Sequence, residues 1–319
     1  MAFMINFLLF ALSCLVLLVS GSFLIKSLSK IAAFLRMSKF VVSFIIVGMA
    51  TSLPELFVGI SSALAGQPEI SLGNVIGSNI ANLTIILGIP LLLARGIAIK
   101  SKTVRKDSLY MFGISLLPLI LMAIGESLSK LDGIILIVFF LFYSALLIKQ
   151  KKKFTKPIDN HIGRSEIVGN VFLFIVSALF LYYSAKFTVK YASLISIDLA
   201  LPPIFVGLFI IALGTSLPEL VVGFHALKKN QEDIILGNIM GSVVANSTLV
   251  LGVTALIFPI TTNLVIFFTS ISFMILASFL FMIFIEAGKK IYWKEGVILI
   301  IIYVLFIMVQ SYIKNLLVI

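Results

Sequence analysis

Apolar residues in this chain form long runs that are separated by short polar segments. A membrane-spanning helix needs about 20 predominantly apolar residues, and the runs predict ten such helices, here called spans 1 to 10. Their predicted ranges, in chain order, are 3–25, 40–65, 71–94, 108–125, 132–148, 166–189, 202–227, 233–257, 263–285 and 295–316. The longest polar segment reads KQKKKFTKPIDNHIGR and covers residues 149–164. The pattern predicts an all-α membrane protein with ten transmembrane helices and no soluble domain.

The composition indicates that lipid surrounds most of the chain. Of its 319 residues, 61% are hydrophobic and 12% are charged, whereas soluble domains are nearer half apolar and a quarter charged. A net charge of +11 would suggest nucleic-acid binding in a soluble protein. Here the basic residues stand between apolar runs, so we expect a lipid bilayer and no nucleic acid. The single cysteine, Cys14, excludes a disulfide within the chain.

The basic residues are distributed unevenly between the two sides of the predicted membrane. Twenty of the 24 lie in the loops after spans 1, 3, 5, 7 and 9. Because cytoplasmic loops are enriched in lysine and arginine, we expect both termini outside and the central basic loop, residues 151–164, in the cytoplasm. The apolar run at the N-terminus follows no basic segment and is too long for a signal peptide, so it is interpreted as span 1.

One segment of 38 residues occurs twice in the chain. Residues 51–88 read TSLPELFVGISSALAGQPEISLGNVIGSNIANLTIILG, and residues 215–252 read TSLPELVVGFHALKKNQEDIILGNIMGSVVANSTLVLG. Twenty of the 38 positions are identical, including Thr, Ser, Pro, Glu, Asn and Gly, so apolar composition alone does not explain the match. The copies lie five spans apart and therefore cross the membrane in opposite directions. We expect two inverted five-helix repeats, residues 1–150 and 165–319, with a site where they meet.

Two glutamates, Glu55 and Glu219, occupy equivalent positions of the repeat inside spans 2 and 7. The other 11 of the 13 acidic residues lie in loops or near span ends. A charge at the centre of a membrane helix costs at least ~2.5–3.5 kcal/mol, and no lysine or arginine lies at similar depth. Bound cations or protons are therefore expected to balance the two carboxylates. Oxygen ligands of this kind suit Ca²⁺ and Na⁺.

Helical spacing brings further oxygen atoms to the same faces. The pairs four residues apart are Thr51 and Glu55, Thr215 and Glu219, Ser78 and Asn82, and Ser242 and Asn246. The serines have the alternative of bonding to their own helix, and the asparagines that of a structural interhelical bond. The prolines Pro54 and Pro218 predict a break around Thr51 and Thr215, which frees backbone carbonyls to line a polar cavity.

The glycines of the second half of each motif also have helical spacing. They are Gly73, Gly77, Gly237 and Gly241. Such spacing lets helix backbones approach closely, and helix packing accounts for it as well as a functional role does.

The motifs GMATSLPELFVG and ALGTSLPELVVG, each followed by LGNxxGSxxAN, resemble the two alpha-repeats of the cation/calcium exchanger superfamily. The chain is most similar to the prokaryotic sodium/calcium exchangers, with the motifs at residues 48–88 and 212–252. The resemblance implies that Glu55 and Glu219 coordinate Ca²⁺ and share Na⁺. It further implies carbonyl ligands from Thr51, Thr215, Gly48 and Ala212, hydroxyl ligands from Ser52, Ser216, Ser78 and Ser242, and amide ligands from Asn82 and Asn246.

One position departs from part of the family. Some archaeal relatives have an aspartate where this chain has Asn246, so the cluster here contains two carboxylates. The large regulatory cytoplasmic loop known in the family is absent, and only the linker at 151–164 stands in its place.

Together the residues predict a monomeric, multi-pass antiporter of a prokaryotic cell membrane that exchanges Na⁺ for Ca²⁺, without a cofactor and without enzymatic activity. A Ca²⁺/H⁺ antiporter and a K⁺-dependent Na⁺/Ca²⁺ exchanger are alternatives. An ion channel with a ring of glutamates usually needs several subunits. An intramembrane hydrolase would need a nucleophile with a His or Asp partner, which the spans lack.

Overall fold

The computed structural model describes residues 2–34, 51–99, 102–151, 164–228 and 232–317. Gly48, the first part of predicted span 2 and most of the linker 151–164 lie outside the described residues. The described chain is almost entirely helical, as the apolar runs predict. Its helices are Ala2–Phe34, Leu53–Leu64, Pro68–Ala81, Asn82–Ile86, Leu87–Leu93, Lys102–Ser115, Leu117–Gly125, Lys130–Lys151, Arg164–Asp198, Pro203–Phe205, Val206–Ile211, Ala212–Thr215, Leu217–Lys228, Glu232–Ala245, Asn246–Val250, Leu251–Ile257, Leu264–Ala287 and Trp293–Leu317.

Nine helical stretches within the described residues are long and apolar enough to cross a membrane. They correspond to predicted spans 1 and 3 to 10, and Leu53–Leu64 is the described part of span 2. The all-α membrane fold is therefore confirmed. The helices of spans 1 and 6 are longer than predicted, with 33 and 35 residues. Lysines such as Lys26 and Lys190 end the apolar run but not the helix, because its backbone hydrogen bonds are local.

Spans 1 and 6 pack against each other in antiparallel orientation along their length. Asn6 donates to Asp198 at one end (3.1 Å), and Thr188 donates to Ser13 further along (3.1 Å). Lys30 forms an ion pair of 2.6 Å with Glu166 at the other end. Leu17, Leu24 and Leu181 fill the seam between the two helices and the rest of the molecule. The first helix of one repeat thus lies beside the first helix of the other, with opposite direction.

The contact between spans 3 and 10 resembles the contact between spans 8 and 5 at an equivalent position of the repeat. Gly88 of span 3 lies against the backbone of Gly296 at the start of span 10. Its repeat counterpart, Gly252 of span 8, lies against the backbone of Gly133 at the start of span 5. Only glycine permits backbones to approach this closely. The correspondence agrees with the two five-helix repeats that the sequence predicts.

Two short backbone pairings connect loops of different repeats. Strand Ile97–Ala98, after span 3, pairs antiparallel with strand Lys290–Ile291, after span 9. Leu128, after span 4, bridges to Ile260, after span 8. The first pair of loops therefore lies at one end of the helices, as the alternation of spans requires. Which end faces the cytoplasm stays a prediction from the basic residues.

Candidate ion-binding site

Each glutamate lies near the N-terminus of a helix that begins directly after a turn. In span 7 the helix ends at Thr215 and restarts at Leu217, with Ser216 between them at φ −85° and ψ 0°. Ser52 has nearly the same conformation, φ −86° and ψ 4°, before the helix Leu53–Leu64. Pro54 and Pro218 stand directly after these turns, at the start of a helix, where the N–H that proline lacks is not required. The predicted break is confirmed in span 7, and in span 2 the described residues begin at the turn.

The position of the glutamates in the first helical turn has an electrostatic consequence. Glu55 and Glu219 both lie in the first turn of the helix that follows the break. The N–H groups of a first turn have no partner within the helix, and the positive end of the helix dipole favours a negative charge. This arrangement lowers, without removing, the cost of holding a carboxylate at membrane depth.

The two carboxylates are buried and interact with each other. Glu55 is 0% exposed and Glu219 is 1% exposed, and the charge of Glu219 acts on Glu55. Neither forms an ion pair with a basic side chain of the described residues. Each lies beside hydroxyls of both repeats, because Ser78 and Thr215 face Glu55 while Ser242 and Thr51 face Glu219. The structure therefore brings the predicted glutamates together at the interface between the repeats.

Hydroxyl contacts cross that interface in both directions. The Thr51 hydroxyl lies 3.1 Å from the Ser242 hydroxyl, and Ser242 donates to Glu219 Oε1 at 3.0 Å. The Thr215 hydroxyl lies 3.2 Å from the Ser78 hydroxyl. Neither predicted serine bonds only to its own helix, so the backbone alternative is excluded for Ser78 and Ser242.

Two asparagines of the site, Asn74 and Asn238, are absent from the ligand set that the sequence predicts. Thr215 donates to Asn74 Oδ1 at 3.1 Å, and Thr51 donates to Asn238 Oδ1 at 3.2 Å. Both asparagines are buried. They are identical in the two copies of the repeat and stand four residues before the predicted serines, so the same helical spacing also selects them.

Close packing of span 3 on span 7 makes these contacts possible. A Cβ atom at Gly73 or Gly77 would collide with the backbone of Ile204 or Leu208. The same holds for Gly207, whose Cβ would collide with the backbone of Ile70. The predicted close approach is confirmed for Gly73 and Gly77, and it brings span 3 within hydrogen-bonding reach of the break in span 7. It is wrong for Gly237, where an added Cβ atom would meet nothing within 4 Å.

The central asparagines begin wider helical segments. Asn82 opens the π-helix Asn82–Ile86, and Asn246 opens the π-helix Asn246–Val250. Both side chains are fully buried. Short π-helical segments occur frequently at functional sites, and here they occur at equivalent places of the two repeats.

Seven side-chain oxygens of the predicted ligand set are buried and have no hydrogen-bond partner among the described residues. They are Glu55 Oε1 and Oε2, Glu219 Oε2, Asn82 Oδ1, Asn246 Oδ1, Ser52 Oγ and Ser216 Oγ. Buried polar atoms are normally satisfied, and an unsatisfied one calls for a ligand, an ion or water. Carboxylate, amide and hydroxyl oxygens are the ligands that hard cations such as Ca²⁺ and Na⁺ prefer, so the donor set fits these cations in chemical type.

Comparison with known proteins agrees with this donor set. The family described as "Sodium/calcium exchanger protein" matches residues 5–149 and 169–312. The chain belongs to the sodium/calcium exchanger family. The sodium/calcium exchanger MaX1 of Methanosarcina acetivorans is 29% identical over 97% of this chain and 99% of its own. The putative antiporter CaxA of Alkalimonas amylolytica is 32% identical over 78% of this chain and 80% of its own.

Solved structures show the same architecture. A structure of the sodium-calcium exchanger NCX_Mj superposes with a TM-score of 0.67 and 25% identity, covering 96% of this chain and 98% of that one. The family match, the relatives and this superposition together establish an exchanger fold over nearly the whole chain.

Of the predicted carbonyl ligands, the structure describes that of Ala212 but not that of Gly48. The Ala212 carbonyl lies in the site, 3.4 Å from the Ser78 and Thr215 hydroxyls, and it accepts from the Ser216 N–H at 3.1 Å. An ion at Ala212 would therefore share this oxygen with existing donors. Gly48 lies outside the described residues, and its role stays a prediction.

Proposed function

We propose that this protein is a secondary antiporter that exchanges Na⁺ for Ca²⁺ and binds both ions between Glu55 and Glu219. The observation that carries the proposal is a set of seven buried oxygens without a partner among the described residues, three of which belong to the interacting carboxylates of Glu55 and Glu219. Family membership supports ion exchange, and the donor chemistry supports the two cations. The chain works as a monomer on this account, because its two repeats complete the site.

Charge balance explains why the ions compete. Two carboxylates in a low-dielectric site repel each other, and each costs at least ~2.5–3.5 kcal/mol at membrane depth when unbalanced. One Ca²⁺ or a set of Na⁺ ions neutralises the same pair. Because the ions use the same carboxylates, Na⁺ entry expels Ca²⁺, and a Na⁺ gradient drives Ca²⁺ transport.

The proposed ligands divide into a central group and flanking groups. Ca²⁺ is held by Glu55 and Glu219 and completed by Asn82 and Asn246. The flanking Na⁺ ligands are the hydroxyls of Ser52, Ser216, Ser78 and Ser242 and the carbonyls of Thr51, Thr215, Gly48 and Ala212.

Alternating access follows from the position of spans 1 and 6. These two helices pair with each other over their length and carry none of the proposed ligands. We infer that they slide together against the other spans, and that each half gates one side of the membrane, as inverted repeats permit. The protein passes through the occluded state at low energetic cost only when bound cations neutralise the carboxylates.

In the proposed orientation, both termini lie outside the cell and the central basic loop lies in a prokaryotic cytoplasm.

Flux into liposomes tests this function. Purified protein is reconstituted, the liposomes are loaded with Na⁺, and initial Ca²⁺ uptake is measured against Na⁺-free, K⁺-loaded and acid-loaded liposomes. We expect uptake that requires the Na⁺ gradient and is abolished by Glu55→Gln and by Glu219→Gln. The matched control is Glu286→Gln, an exposed glutamate at the end of span 9, which should transport normally. Uptake driven by the pH gradient alone would identify a Ca²⁺/H⁺ antiporter, and a K⁺ requirement would identify K⁺-dependent exchange.

A further inference from the structure

The two central asparagines occupy equivalent positions of the repeats, but their surroundings differ. Asn246 donates through Nδ2 to Asn79 Oδ1 at 3.2 Å, while its own Oδ1 has no partner among the described residues. Neither the Oδ1 nor the Nδ2 of Asn82 has a partner in the same part of the chain. All three side chains are fully buried. One of the two amides is therefore oriented by a hydrogen bond, and the other has no hydrogen bond among the described residues that fixes its orientation.

The sequence contains the origin of this asymmetry. Asn79 interrupts the repeat, because the corresponding position of the second copy is Val243. Asn79 in turn donates through Nδ2 to Ser247 Oγ at 2.9 Å, and the counterpart of Ser247 is Leu83. Val243 and Leu83 therefore stand where the repeat would place the two polar residues that could orient Asn82.

Met274 determines the orientation of the side-chain amides of Asn79 and Asn246. Asn79 Nδ2 lies 3.4 Å from Met274 Sδ on span 9. A hydroxyl such as Ser247 can either donate or accept, but a thioether sulfur only accepts. The nitrogen of Asn79 must therefore face Met274, its oxygen must face Asn246, and Asn246 must present its nitrogen to Asn79. The remaining atom of Asn246, the carbonyl oxygen, then faces away from this chain of contacts.

We infer that Asn79 is a positioning residue that keeps the Asn246 carbonyl oxygen, and not its amide nitrogen, turned toward the ion site. The inference rests on the proposed function, because it requires that a cation binds there. A cation is coordinated by oxygen and repelled by N–H, so a rotated amide replaces a ligand with a repulsive group. Partners that orient metal ligands affect metal affinity in other sites.

The first test replaces Asn79 with the residue of its own repeat counterpart. Asn79→Val removes the acceptor for Asn246 Nδ2, and we expect the Ca²⁺ KM of Na⁺-driven uptake to rise roughly 10-fold, as for other partners of metal ligands, with a smaller change in maximal rate. Met274→Leu retains the volume but removes the sulfur, which makes both orientations available. If half of the Met274→Leu molecules present the Asn246 nitrogen and not its oxygen to the site, the apparent Ca²⁺ KM rises about twofold.

A second background separates orientation from general structural damage. In Asn246→Asp both branches of the side chain end in oxygen, so rotation no longer changes the ligand. We expect Asn79→Val to leave the Ca²⁺ KM of the Asn246→Asp protein almost unchanged. An equal KM increase in both backgrounds would overturn the inference, as would an unchanged KM for Asn79→Val with Asn246 intact. Loss of exchange in Glu55→Gln is a separate result, so the proposed function can stand if Asn79 fails.

Discussion

The Thr51 hydroxyl donates to Asn238 Oδ1 at 3.2 Å and thereby joins the turn before the helix Leu53–Leu64 of the first repeat to span 8 of the second. The mirror contact runs from Thr215 to Asn74 Oδ1 at 3.1 Å. Each threonine stands one residue before a central serine of the break, and each asparagine stands one turn before a serine of the site. Both repeats therefore contribute to both halves of the site.

The threonine contacts predict matched losses in the two repeats. Thr51→Val and Thr215→Val remove a hydroxyl with little change of shape, and each leaves a buried asparagine oxygen without its donor. An unsatisfied buried acceptor costs about 1–3 kcal/mol, so both variants should lower thermal stability in detergent and weaken Ca²⁺ uptake to a similar extent. Normal stability and uptake in either one would show that the cross-repeat contacts do not support the site.

The close approach of spans 3 and 7 predicts a sharp dependence on one glycine. Gly77→Ala places a methyl group against the Leu208 carbonyl, and the helices must separate, which moves Ser78 away from Thr215. We expect at least a 10-fold loss of Na⁺-driven Ca²⁺ uptake, since small displacements of positioned groups have effects of about that size or larger. The control is Gly113→Ala, where a Cβ meets nothing within 4 Å. Equal activity of both variants would contradict the packing argument.

The sliding pair predicts that the position of a cross-link decides its effect. In a Cys14→Ala background, Ser13→Cys with Thr188→Cys joins spans 1 and 6 to each other, at side chains that are hydrogen bonded. A reversible bifunctional thiol reagent should leave exchange active, because the two helices move together. Gln67→Cys with Ser193→Cys joins span 6 to the end of span 2, where the native side chains also contact each other.

Cross-linking this second pair should stop Ca²⁺ uptake until the link is reduced. If the Ser13 and Thr188 link stops transport while the Gln67 and Ser193 link does not, spans 1 and 6 do not move as one unit against the rest.

Much of the fold and of the site follows from sequence alone. The apolar runs suffice to predict the transmembrane helices, because a chain segment in lipid must satisfy its own backbone hydrogen bonds and a helix does so. The repeat suffices to select Glu55 and Glu219, since acidic residues at equivalent positions and at membrane depth indicate a functional site. The same helical spacing that selects the site serines also reaches Asn74 and Asn238. The sequence does not predict where the helices of spans 1 and 6 end, because polar residues mark the edge of the membrane and not the end of a helix.

The orientation of Asn246 belongs to the part that sequence does not supply. It depends on Asn79 and on Met274, which stand far apart in the chain and meet only when spans 3, 8 and 9 pack. Met274 lies outside the repeated motif, and a methionine in an apolar span resembles ordinary core. Departures from a repeat, such as Asn79 opposite Val243, are the signal that points to such an asymmetry.

Equilibrium binding of Ca²⁺ to the purified protein tests the central claim most directly. Radioactive Ca²⁺ is titrated in detergent in the presence and absence of Na⁺, with the native chain, Glu55→Gln, Glu219→Gln and the exposed control Glu286→Gln. We predict one Ca²⁺ per chain in the native protein and the control, displacement by Na⁺, and loss of high-affinity binding in both site variants. Native binding in Glu55→Gln or Glu219→Gln, or binding that Na⁺ leaves unchanged, would contradict the account.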